Sequence, residues 1–70
     1  MTSLTINGRQ RQFAPDAMPR TLAALLAELN VAAATVVAEV DGAIVPAERF
    51  GTTELQSGQT IELVKFMGGG

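Results

Sequence analysis

The stretch Thr21–Asn30, TLAALLAELN, decides how the rest of the chain is read. Leu22, Leu25, Leu26 and Leu29 stand at i, i+3, i+4 and i+7, the spacing that gathers apolar side chains on one face of an α-helix. Ala23, Ala24 and Ala27 add helix propensity. Thr21 is a suitable N-cap, and Asn30 tolerates the left-handed backbone that ends a helix. The pattern predicts one helix of roughly ten residues with a single buried face.

On either side the periodicity changes from helical to alternating. TSLTI, residues 2–6, places Leu4 and Ile6 on one face, and the Asn7-Gly8 pair that follows is a strong hairpin signal. The second arm, Arg9 to Phe13, carries Arg9, Arg11 and Phe13 on one side, the mixed pattern of an edge strand, until Pro15 and Pro19 break the run. Beyond the helix, Val36–Val40, an Asp41-Gly42 turn and Ala43–Val45 before Pro46 predict a second hairpin. Phe50 and Leu55 are expected to anchor the irregular segment between Ala47 and Gln56. Gln59–Phe66 forms a last strand with Ile61 and Leu63 on one face and Glu62, Val64 and Phe66 on the other.

The implied fold is α+β, a mixed four- to five-stranded sheet packed on one main helix. The first and last strands are expected to pair in parallel at its centre. Residues 1–67 form a single domain, and Gly68-Gly69-Gly70 a flexible extension, because three glycines resist ordering.

Composition narrows the chemistry. A chain of 70 residues buries only about 60% of its unfolded surface, and the absence of cysteine and histidine leaves neither disulfides nor the usual zinc ligands to stabilise it. The core must therefore be aliphatic. A formal charge of −2 argues against nucleic acid as a partner, no apolar run approaches the roughly 20 residues of a membrane span, and the first residues lack a signal-peptide layout. A cytoplasmic location is expected.

Without His or Cys, and with its acidic residues scattered singly, the chain is not expected to be an enzyme. What remains is the Gly70 carboxylate, ionised at neutral pH and a poor electrophile. Conversion to an anhydride with AMP would activate it, and a sulfur nucleophile could then displace AMP to leave a thiocarboxylate. Three extended glycines reach roughly 10 Å and would thread a narrow channel in a partner.

The order of LTINGR, TLAALLAELN, VAEVDGAIVPAERF, LQSGQTIELVKF and the final GGG resembles the β-grasp sulfur carriers of thiamine biosynthesis, the ThiS-like relatives of ubiquitin and of the small subunit of molybdopterin synthase. The resemblance covers the full length. It implies that Gly70 is adenylated by an ATP-dependent, ThiF-like activating enzyme, receives sulfur from a sulfur-donating enzyme, and delivers it to a ThiG-like thiazole synthase. ATP belongs to the activating enzyme, and the carrier itself binds no cofactor or metal. Gly69 and Gly70 match the family's diglycine end, and Gly68 the extra glycine of many thiamine carriers, while Phe66-Met67 departs slightly from the family's Phe-Val. Val64, Phe66, Met67 and Glu62 are the candidate partner contacts, with Glu39 a further acidic candidate. The alternatives are a carrier for molybdopterin or another pathway, and a ubiquitin-like modifier or interaction module.

Overall fold

The computed structural model describes residues 2–66. Strands β1 (Thr2–Ile6) and β2 (Arg9–Phe13) form the first hairpin, followed by helix α1 (Leu22–Glu28). Strands β3 (Val36–Val40) and β4 (Ala43–Val45) form the second hairpin, and β5 (Thr60–Lys65) comes last. Single 3-10 turns at Ala33–Thr35 and Ala47–Arg49 lie in the connections, where the sequence pattern predicts no regular element.

The strands form one sheet in the order β2-β1-β5-β3-β4. The first and last strands are parallel neighbours, with Thr5 beside Thr60 and Ile6 beside Ile61, while β3 runs antiparallel to β5 from Val36 opposite Lys65 to Val40 opposite Ile61. This is the central parallel pairing expected from the sequence, and β2 is indeed an edge strand. Both hairpin turns use left-handed backbone. Asn7 and Gly8 have φ of 50° and 82°, and Asp41 and Gly42 have 51° and 86°, the conformation that favours Asn-Gly and Asp-Gly in tight hairpins.

The helix is shorter than expected, seven residues, because its ending begins early. Asn30 enters the left-handed region at φ 61°, its N–H donates to the Ala27 carbonyl at 3.1 Å, and the Val31 N–H donates to Leu26 at 2.9 Å. Those two bonds form a Schellman motif, and partly buried Val31 packs on the core beside it.

The amino end is closed by two routes. Thr21 Oγ1 accepts from the Ala24 N–H at 3.1 Å, while the N–H groups of Leu22 and Ala23 donate to Thr53 and Phe50, each at 2.9 Å. The irregular segment after β4 thus supplies acceptors that the first turn of a helix lacks.

The core lies between α1 and the inner face of the sheet. It contains Leu4, Phe13, Leu22, Leu25, Leu26, Val36, Ala38, Val40, Phe50, Leu55 and Ile61, and among the described residues no buried one is polar or charged. Phe50 and Leu55 are both anchors, as the sequence predicts. Arg11 reaches from β2 to Glu28 on the helix at 3.3 Å and lies over the Phe13 ring; this bridge is solvent-exposed, and such pairs contribute little.

Candidate partner-binding face

The strand leading to the terminal glycines is fixed along most of its length. Side-chain oxygens from the two hairpin turns hold it from opposite sides: Asp41 Oδ1 accepts from the Thr60 N–H at 2.9 Å, and Asn7 Oδ1 accepts from the Leu63 N–H at 2.7 Å. Near its exit, the Phe66 N–H donates to the Thr35 carbonyl at 2.9 Å. The centre of the sheet therefore aims the chain as far as Phe66. Met67, Gly68, Gly69 and Gly70 lie outside the described residues.

Alternation along β5 sends Ile61 and Leu63 toward the helix and leaves Glu62, Val64 and Phe66 on the outer face, as expected. Val64 is 59% exposed and Phe66 55%, so neither is packed into a core of its own. Ile44 on β4, 68% exposed, joins them. The sequence reading missed Ile44 because a three-residue strand ending at proline shows too little alternation to assign a face. The signal was available in the register: Ile44 stands opposite Glu39, and Glu39 opposite Glu62.

The outer face thus has an apolar set, Ile44, Val64 and Phe66, with half-buried Val37 directly opposite Val64. Glu39 and Glu62 stand between Ile44 and the end of β5. Like charges opposite one another across strands are destabilising, and among the described residues neither carboxylate has a cationic partner. Such a surface suits an apolar partner patch carrying a basic group.

Among the described residues, no group of three His, Cys, Asp or Glu side chains is placed to hold a metal, and no helix is long and apolar enough to cross a membrane. A depression lined by Pro15, Met18, Arg20, Glu54 and Leu55 follows Phe13, which pairs with Thr2 at the start of β1, the end of the sheet opposite the exit of the parallel strand β5.

A helix packed on a five-stranded mixed sheet with parallel first and last strands defines a β-grasp domain. The sequence model of the ThiS family matches residues 4–70, so the chain belongs to the ThiS family. Its fold is similar to the crystal structure of the thiamine biosynthesis protein ThiS from Geobacter metallireducens, with a TM-score of 0.80 and 34% identity over 97% of this chain and 99% of that one. An NMR solution structure of a thiamine biosynthesis protein from the same organism gives a TM-score of 0.77 and 35% identity over 97% and 87% of the respective chains. The chain is also 37% identical over 67 residues to a thiazole synthase of Paramagnetospirillum magneticum (strain ATCC 700264 / AMB-1). That match takes in 96% of this chain but spans only 20% of the length of the synthase.

Proposed function

We propose that this protein is the sulfur carrier of thiazole formation in thiamine biosynthesis, a protein co-substrate rather than a catalyst. The observation that carries the reading is that the family match runs through residue 70 and so includes Gly68-Gly69-Gly70, while β5, the strand leading to them, sits at the centre of the sheet. The similarity to a segment of a thiazole synthase supports a synthase of that kind as the acceptor.

The chemistry runs in two displacements. A Gly70 carboxylate oxygen attacks the α-phosphorus of ATP on an adenylating enzyme, pyrophosphate leaves, and the acyl adenylate no longer carries the carboxylate charge that made the carbon unreactive. A sulfide-level nucleophile from a sulfur-donating enzyme then attacks that carbon, and AMP leaves with the oxygen. The product is a thiocarboxylate, whose sulfur the synthase takes up. Neither step needs a side chain of the carrier. The carrier's own contribution is to present an unobstructed terminus: Gly68 and Gly69 thread the partners' channels, and Val64, Phe66, Met67 and Glu62, now with Ile44 and Glu39, form the docking face for the adenylating enzyme.

ATP–pyrophosphate exchange catalysed by a ThiF-like enzyme tests this reading. Full-length protein should support exchange, and a chain lacking Gly70 should not, while keeping its circular dichroism and Tm. Exchange that survives the deletion would sink the proposal.

A further inference from the structure

The strand that carries the tail has an unfinished edge. Main-chain groups of Gln59, Ile61 and Leu63 face β1: the Thr5 N–H donates to Gln59 at 3.0 Å, the Asn7 N–H to Ile61 at 2.9 Å, and the Leu63 N–H to the Asn7 side chain. There β1 stops, because Asn7 and Gly8 reverse the chain. On the other side β3 continues, with Val36 opposite Lys65 and Thr35 accepting from Phe66. By the two-residue alternation of a strand, the Leu63 carbonyl and the Lys65 N–H face the vacated side, and among the described residues nothing pairs with them. The result is a notch at the corner of the sheet, bounded by β5 and by Asn7, which caps the ladder, and open on its far side because β2 pairs with β1 no further than Arg9 opposite Ile6.

We infer that this notch receives an extended main-chain segment of the thiazole synthase, added beside Leu63–Lys65 as a further strand. The inference rests on the sulfur-carrier reading above. Unpaired strand edges are templates for another backbone, but the two outer edges of this sheet are poor ones. Strand β2 carries Arg9, Gln10, Arg11 and Gln12, and β4 has three residues before Pro46. The notch lies on the strand that runs into the tail, so a protein taking up Gly70 must approach it. Three glycines offer no side chains, which leaves the main chain as the means of recognition, and Lys65 begins that recognition before the glycines start. A ThiS-like segment within one thiazole synthase polypeptide favours the synthase over other occupants. Val64 and Phe66, exposed beside the notch, would flank the added strand.

Amide hydrogen exchange of the intact protein, alone and with a ThiG-like thiazole synthase, tests the assignment. The Lys65 N–H should exchange quickly in the free chain and at least tenfold more slowly in the complex, whereas the Phe66 N–H, already bonded to Thr35, should change less. A bound chain whose Lys65 amide stays unprotected overturns the inference and leaves the carrier reading standing. Failure of the synthase to bind the chain would instead remove the carrier's partner and the inference with it. Protection seen only with the activating enzyme, or rising with the chain's own concentration, would make the occupant a different one and overturn the assignment.

Two variants give an independent measure. Lys65→Pro deletes a donor that the fold does not use, a position where a strand tolerates proline, and Lys65→Ala removes the side chain but keeps the donor. The proline variant should bind the synthase about 2- to 12-fold more weakly than the alanine variant, the range for one net hydrogen bond. Equal affinities at equal Tm would refute the added strand, and if the proline variant fails to fold, exchange in the natural chain decides.

Discussion

Changing Ile44 and Val64 together to threonine isolates the docking face from the fold. Both side chains are mostly in water, 68% and 59% exposed, so the free protein loses little when they change. Threonine keeps the β-branched shape that suits a strand, and surface substitutions of this kind usually stay within about 0.5 kcal/mol. In a complex the account differs. Threonine keeps one branch methyl, so Ile44 loses two apolar carbons and Val64 one, each worth about 0.8 kcal/mol when buried, scaled by the roughly 0.6 of each side chain still available for burial. Strand β3 separates the two positions and Val64 lies two residues beyond the level of Ile44, about 12 Å apart by the usual strand spacing and rise, far enough for near-additive effects. The double variant should therefore lose about 1.5–2.4 kcal/mol of docking energy, roughly 12- to 60-fold. Varying the carrier concentration in ATP–pyrophosphate exchange reads this as a raised KM with kcat largely retained, the signature of binding lost equally from ground and transition states. An unchanged KM, with Tm intact, would refute the assignment of this face to the adenylating enzyme.

Further outcomes follow from individual contacts. Glu39→Gln should raise stability by a few tenths of a kcal/mol by relieving its cross-strand repulsion with Glu62, yet weaken docking and reduce its salt dependence; thermal melts and KM at two ionic strengths show whether the two effects part. Asn7→Gly keeps the left-handed turn but loses the acceptor for Leu63, costing about 0.5–1.5 kcal/mol, whereas Asn7→Ala adds backbone strain of roughly 1 kcal/mol or more; urea titrations should rank natural, glycine and alanine forms in that order. Leu25→Ala, at a fully buried position, should cost about 2.7–5 kcal/mol, enough to unfold much of a small domain at 37 °C, seen as lost cooperativity in melting.

Much of this fold was legible because local signals agreed with each other. Asn7-Gly8 and Asp41-Gly42 required the left-handed turns found in the structure, and the leucines of Thr21–Asn30 supplied the buried face. The helix length was overestimated because leucine spacing continues to Leu29, whereas the Schellman bonds of Asn30 and Val31 already turn the chain. Two kinds of feature left no local trace. The role of residues 50–53 in accepting the helix's first N–H groups depends on contacts about thirty residues apart, and Ile44 belongs to the outer face through its register with Glu39 and Glu62. The vacated edge beside Lys65 likewise arises from where one strand stops relative to another. For the candidate site, alternation puts Glu62, Val64 and Phe66 on the outer face, where the structure has them, whereas Met67 and the glycines rest on the sequence alone.

The central claim is that Gly70 becomes a thiocarboxylate. The protein, incubated with ATP, a ThiF-like enzyme and a sulfur source, is treated with a thiol-alkylating reagent and the mass of its C-terminal peptide is read; the absence of cysteine removes any competing thiol from the chain. ATP-dependent alkylation confined to the peptide bearing Gly70 is the predicted result. An unmodified peptide, with an enzyme shown to be active, would contradict it.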